Sequence, residues 1–328
     1  MTSSISSSPI LLTGGTGFLG VRLASRLVKS HRQVVVLIRD ETFPSAGNFD
    51  RELSRCTQLH GDITDAGLLE RILVEYEVHT VFHLAAQTLV GTAQRSPVGT
   101  FESNIRGTWT LLEACRRHAD QVKCGIVASS DKAYGVHQQL PYREDFPLQP
   151  RFPYDTSKAC AEMLAMAYYH SYGVPVAVTR CANLYGGGDL NWSRVVPGTV
   201  RAALEGRRPV IRSDGSPVRD YLYVDDAVAA YLSLAEAVLA GKAAGQAYNF
   251  GTDHPVAVLP LVRQILAAAG RPDLEPDVQG TAVAEIDRQY LDSSKAKRDL
   301  GWQPGVGLEE GLRRTTAWYR EFGPQVFL

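Results

Sequence analysis

The ten residues LLTGGTGFLG, from Leu11 to Gly20, constrain the fold of this chain more than any other stretch. They follow a short apolar run and open an amphipathic helical pattern that begins near Phe18. Gly14, Gly17 and Gly20 recur every third residue, and Gly15, Gly17 and Gly20 also satisfy the form G-x-G-x-x-G. A tight turn without side chains lets the backbone N–H groups of a helix N-terminus meet a pyrophosphate. An ordinary glycine-rich turn would look the same in isolation. The strand before it, the helix after it and the βαβ unit around it select nucleotide binding, with Gly14, Gly17, Phe18, Leu19 and Gly20 lining the phosphate site.

The first half of the chain alternates β-branched runs with helical patterns: PILLTG, a helix from about Phe18, QVVVLIRD, TQLHGD, a helix near Ala66, TVFHLAA, a long helix near Thr100 to His118, and CGIVASS. That alternation predicts a parallel sheet covered on both faces. A further helix, YDTSKACAEMLAMAYYHSYG, leads into the strand PVAVTRCANLYG, and beyond Tyr185 the pattern loosens into glycine- and proline-containing loops, short strands and several helices. The expected fold class is α/β: a Rossmann doubly wound parallel sheet over residues 1–180, with a smaller C-terminal α/β substrate domain over 181–328. Segments can cross between the two, because QAYNFGT reads as a strand that could return to the core.

Composition narrows the partners. With 34 basic and 35 acidic residues the net charge is −1, which argues against a general nucleic-acid or anionic-membrane surface and leaves small polar or anionic ligands. The opening MTSSISSSPILLTGG has no basic n-region, and no later apolar stretch reaches spanning length, so a cytoplasmic protein is expected. Five cysteines (Cys56, Cys115, Cys124, Cys160, Cys181) without a C-x-x-C spacing suggest neither a disulfide framework nor a metal site.

The second strand should decide which dinucleotide fits, since an acid at its end accepts ribose hydroxyls whereas an arginine suits a 2′-phosphate. It ends Ile38-Arg39-Asp40, so Arg39 favours NADP, Asp40 could serve the ribose of NAD, and both stay open. Asp62 and Ile63 after the third strand are placed for the adenine, and Leu84, Ala85 and Ala86 in FHLAAQ let a cofactor lie close. In VASSDKAYG an acid and a base, Asp131 and Lys132, end an apolar run; they are a reacting pair or a loop salt bridge. YDTSK puts Tyr154 and Lys158 four apart, on one helix face. A tyrosine becomes a base near neutral pH only if a cation stabilises its phenolate, which Lys158 can do.

The motifs TGGTGFLG, HLAAQ, NIRGT, SSDKAYG, YDTSK, RCANLYGGG and VRDYLYVDD stand in an order that resembles the extended short-chain dehydrogenases acting on nucleotide-diphosphate sugars, over about Pro9 to Pro304. The resemblance implies that Tyr154 is the acid/base, that Lys158 tunes it and that Ser130 bonds the sugar. It also implies a tightly held NAD(P), a C-terminal domain for a nucleotide-diphosphate sugar, and a homodimer formed by two helices per subunit. Within that family, 4,6-dehydratases place an acid and a base directly after the serine, as Asp131 and Lys132 are here. The Asp-Lys pair, HLAAQTLV and GGGD resemble CDP-glucose 4,6-dehydratase, while VRDYLYV is closer to epimerases and TDP-glucose type dehydratases; the nucleotide base stays open. Substrate contacts are expected from Gln87, Asn183, Trp192, Arg194, Val196, Arg212, Arg219 and Arg288, with the arginines suited to a diphosphate and Trp192 either covering the ligand or packing in the small domain. The expected activity is a nucleotide-diphosphate-hexose 4,6-dehydration. Its rivals are a 4-epimerase and a non-catalytic NAD(P)-binding regulator, against which the presence of Ser130, Tyr154 and Lys158 together counts.

Overall fold

The first strand, β1 (Ile10–Thr13), shows why the sheet must be covered twice. Its four residues are fully buried, Ile10 and Leu12 in one apolar cluster and Leu11 in the other. Side chains alternate across a strand, so an unbroken apolar run forces a layer onto each face. The structure is a computed structural model that describes residues 8–39, 49–281 and 286–327; of the site residues named above, Asp40 lies outside them.

Strands β2 (Val34–Ile38), β3 (Thr57–His60), β4 (Thr80–His83), β5 (Cys124–Ala128) and β6 (Val176–Cys181) join β1 and the strand Ala247–Phe250 in a seven-stranded sheet. The order is Ala247–Phe250, β6, β5, β4, β1, β2, β3, and every neighbouring pair is parallel. One face is covered by helix α1 (Phe18–Lys29) and helix Val224–Leu239, the other by helices Ala66–Glu75, Gly107–Arg117 and Pro153–Tyr172. QAYNFGT thus supplies the expected returning strand.

Strand order reverses between β1 and β4, which opens a crevice at their C-terminal ends. The glycine turn sits there under two constraints. Gly14 has φ +72°, and a Cβ on it would lie 2.7 Å from the Ala85 nitrogen; a Cβ on Gly20 would lie 2.1 Å from the Gly14 oxygen.

Beyond β6 a second core gathers Val196, Val200, Leu261, Ile265, Leu312 and Tyr319 from helices Val195–Leu204, Val258–Ala268 and Leu308–Val326. Val196, expected at the substrate, is instead 3% exposed inside this core. Short strands tie the region to the pocket. Val218–Arg219 pairs antiparallel with Val256–Ala257 and parallel with Arg288–Gln289, while Asn183–Tyr185 pairs parallel with Tyr221–Tyr223.

Leu12→Ala should therefore lower the unfolding free energy by about 2–5 kcal/mol, the usual result of opening a cavity in a close-packed core. Denaturant titration reads this; a loss below about 1 kcal/mol would mean that β1 is not packed as described.

Candidate active site

The crevice begins with unused donors. Helix α1 has Gly17 at its N-cap and no side chain closing its first turn, so the N–H groups at that end remain for an anion. Phe18 and Leu19 form that first turn. Opposite, Leu84 N donates to the Thr13 carbonyl at 3.1 Å and Ala85 N to Thr13 Oγ1 at 3.3 Å, holding the Leu84–Ala86 segment against the glycines. A groove floored by backbone and small side chains, with a helix N-terminus at one end, fits a dinucleotide pyrophosphate. Asp62 Oδ1 accepts from Thr64 N and Thr64 Oγ1 at the end of β3, and the neighbouring Ile63 is buried. Arg39 is exposed just past β2.

Under this floor runs a buried polar chain that sequence reading did not find. His83 Nδ1 meets Thr13 Oγ1 at 2.8 Å and its Nε2 meets Thr108 Oγ1 at 2.9 Å. Burial pushes the imidazole down to about 3, so it is neutral. Thr108 gives its hydroxyl proton to the Asn104 carbonyl at 2.6 Å, so it can only accept from His83; Nε2 carries the ring proton and Thr13 donates to Nδ1. Asn104 lies in a π-helical turn, Glu102–Arg106, where its side chain bonds both backbone groups of Gln87 and donates to Ser157 Oγ at 2.9 Å. Ser157 in turn donates to the Tyr154 carbonyl at 2.7 Å. The nucleotide floor and the Tyr154 helix are thereby held in one frame.

The pocket itself forms where β5 ends. Ser130 caps a short 3₁₀ turn, Asp131–Tyr134, accepting from Lys132 N at 3.2 Å and donating to Asp131 Oδ1 at 3.0 Å. Gly135 must follow, since its φ is +72° and a Cβ would strike the Gln149 carbonyl at 1.9 Å. Asp131 is 2% exposed, and burial raises its carboxyl above the usual range despite Lys132, Ser130 and Arg219. Its Oδ2 has no hydrogen-bond partner among the described residues. Such an orphan costs about 1–3 kcal/mol, a cost that an incoming hydroxyl would remove. Lys132 Nζ reaches Gln289 Oε1 at 3.4 Å.

Tyr154 enters from helix Pro153–Tyr172, and burial lifts its phenol to about 12, opposed first by Arg194 and also by a hydrogen bond with Ser130. Lys158 is buried on the same face, pushed down to about 8, with Nζ donating to the Ala128 carbonyl at 2.8 Å. Arg194 is the cation that opposes the rise of Tyr154 most, and Lys158 stands one helical turn from Tyr154 on the same helix. Asp155, between Tyr154 and the rest of the helix, is raised by burial to about 6, with Lys132 opposing.

Of the expected substrate residues, Arg219 is brought in: it is 7% exposed, its charge acts on Asp131, and its Nη1 donates to the Val218 carbonyl at 2.9 Å. Arg194 also reaches the site, held by Asp189 at 2.9 Å. Asn183 Nδ2 donates to the Asp220 carbonyl at 3.2 Å. Gln87 spends its amide locally, on Leu89 and Thr100. Trp192 packs against Tyr319, Phe327 and Arg201, the packing alternative of the two held open. Arg212 is exposed, and so is Arg288, which lies over its neighbour Tyr290.

Residues 11–315 match the family model described as GDP-mannose 4,6 dehydratase. The chain is 34% identical over 321 residues to a trifunctional UDP-glucose 4,6-dehydratase/UDP-4-keto-6-deoxy-D-glucose 3,5-epimerase/UDP-4-keto-L-rhamnose-reductase of Arabidopsis thaliana. That match covers 95% of this chain and 47% of the plant protein, so the chain spans about half the length of that relative. Among solved structures it is similar to a UDP-glucose 4-epimerase of Thermotoga maritima solved with UDP-glucose, at TM-score 0.88 and 32% identity, covering 95% of this chain and 99% of the other. It is also similar to a dTDP-glucose 4,6-dehydratase of Streptomyces venezuelae solved with NAD bound, at TM-score 0.85 and 31% identity, covering 97% and 98%.

A carboxyl with a higher pKa folded than unfolded binds more protons when folded, so its contribution to stability is complete below about pH 4 and is lost as pH rises through its folded value. Asp155, at about 6, is such a group. Asp155→Asn should raise stability by about 1–3 kcal/mol at pH 8 and by little at pH 4. Thermal or denaturant unfolding at the two pH values tests it, and an equal effect at both would show that Asp155 is not raised.

Proposed function

The chain belongs to the GDP-mannose 4,6 dehydratase family, and from that premise we propose that it is a nucleotide-diphosphate-hexose 4,6-dehydratase. The observation that carries the reading is the pairing of a buried Asp131, its carboxyl raised by burial, with Lys132 directly after Ser130. An enzyme that only oxidises and re-reduces C4 has no use for a second acid and base. The nucleotide site is taken by NAD, the cofactor named for the Streptomyces venezuelae relative. When bound, it would accept hydride from C4 and return it to C6, so that none is consumed.

The residues divide the remaining work. Tyr154, aided by Ser130 and by the charge of Arg194, takes the O4 proton as C4 becomes a ketone. The ketone acidifies the C5 hydrogen, which Lys132 removes, and the C5 electron pair forms the C5–C6 double bond. The C6–O bond breaks as Asp131 gives its proton to the departing hydroxyl, and water leaves. Once C6 has been reduced, Lys132 hands its proton back to C5, O4 stays a ketone, and the proton that Tyr154 took from O4 returns to Asp131 through Ser130, which bonds both. Arg219 and Arg194 suit the substrate diphosphate.

The same proposal covers the division of the chain near residue 180, with Val224–Leu239 and Ala247–Phe250 returning to the nucleotide-binding core. It also covers a homodimer through helices 97–117 and 153–172, which expose Val98, Trp109, Met163 and Tyr172. Among the described residues no helix is long and apolar enough to cross a membrane. A 4-epimerase is the second reading, favoured by the likeness to the Thermotoga maritima enzyme.

Incubation with UDP-, dTDP-, CDP- and GDP-hexoses, followed by mass spectrometry, separates the two. A product lighter by one water is expected from at least one of them, whereas an isomer of unchanged mass would establish the epimerase. Asp131→Asn and Lys132→Met should each slow dehydration by about 10²-fold or more. Wild-type rates in both would reduce the pair to a loop salt bridge.

A further inference from the structure

Gln289 is 0% exposed and sits in a strand only two residues long. Its backbone is fixed from two sides. Val218 N donates to the Asp287 carbonyl at 2.7 Å, while Tyr142 N donates to the Tyr290 carbonyl and Asp292 N to the Tyr142 carbonyl, each at 2.9 Å. The side chain is therefore aimed, and what it meets is Lys132 Nζ, 3.4 Å from Oε1.

The partner fixes which end of the amide faces it. A lysine ammonium offers only donors, so the carbonyl end must face Lys132 and the NH₂ end must face away. There Nε2 finds no partner among the described residues. A buried glutamine that serves packing alone normally satisfies both ends of its amide. Here one end is unmet and the other is spent on Lys132.

We propose that Gln289 is the positioning residue of Lys132, a neutral acceptor that aims the amine toward C5 of the hexose. The proposal rests on the reading of Lys132 as the C5 base. An amine that gives one N–H to a fixed acceptor has its lone pair turned in a fixed direction, as proton abstraction from carbon requires. A carboxylate in that place would hold the same nitrogen as an ammonium ion, with no lone pair to use. The charged groups already around Lys132 are Asp131 on its own turn and Asp155 on helix Pro153–Tyr172, both of which it influences. Arg219, paired with Gln289 in register, acts on Asp131 as a countercharge. The contact at 3.4 Å is long, as catalytic hydrogen bonds often are before substrate binds.

Three variants test it: Gln289→Glu, Gln289→Met and Lys132→Met. Each is assayed with UDP-glucose, dTDP-glucose, CDP-glucose and GDP-mannose for kcat and KM across pH and for solvent deuterium entering C5, with thermal unfolding alongside. Gln289→Met should lower kcat by about 10- to 100-fold with KM changed less than about 3-fold, the loss expected when a supporting contact of a catalytic group is removed. Gln289→Glu should keep the fold and move the rising limb of kcat upward by about one pH unit, because a carboxylate favours the charged lysine. An unmoved limb with full kcat in Gln289→Glu would overturn the proposal, and so would parallel losses of kcat, KM and stability in Gln289→Met. Should Gln289→Met fail to fold, Gln289→Glu decides alone. Undiminished C5 labelling in Lys132→Met would instead overturn the base assignment, and the positioning role with it.

Discussion

The approach of the Gly14 backbone to Ala85, closer than any side chain allows, is the constraint on which the rest of the molecule depends. It brings the ends of β1 and β4 together where strand order reverses, and it leaves the first turn of α1 uncapped beside them. Thr13 then serves both sides of the junction, receiving Leu84 and Ala85 with its backbone and side chain and giving its hydroxyl proton to His83. Through His83, Thr108, Asn104 and Ser157 the same junction reaches the backbone of Tyr154. The glycine turn and the Tyr154 end of the pocket are thus joined by one hydrogen-bonded chain.

At that end, burial and charge oppose one another. Desolvation raises Asp131, Asp155 and Tyr154 and lowers Lys158, in each case toward the neutral form. Carboxyls raised and an amine lowered by burial titrate nearer neutral pH than they would in water. The arrangement costs stability, since each group would be better solvated unfolded. The two extensive apolar clusters on either face of the sheet offset that cost.

How much of this was legible depended on how far apart in sequence the interacting residues lie. The glycine turn, the strand–helix alternation, the Asp131-Lys132 neighbours and the Tyr154-Lys158 spacing are local patterns, and each forms the element expected of it. Gln289 stands more than a hundred residues from Lys132, and only the pairing of Arg288–Gln289 with Val218–Arg219 brings it near. No spacing rule reports such a contact. Asn104 was visible only as part of NIRGT, without a role, because its partners Gln87 and Ser157 come from two other segments. Gln87 and Val196 are expected at the ligand and Trp192 either there or in packing, but an amide, a valine and an indole are equally at home in local hydrogen bonding and packing, and that is where the structure puts them. Arg39 is exposed past β2, and Asp40 lies outside the described residues.

A 4,6-dehydratase must remove a hydrogen from C4 of the hexose and deliver the same hydrogen to C6 after water has left. A nucleotide-diphosphate hexose carrying deuterium at C4 follows it directly. Mass spectrometry and NMR of the product should find that deuterium at C6 of a 4-keto-6-deoxy sugar, without loss to solvent. Deuterium retained at C4 of an epimer would contradict the dehydratase reading.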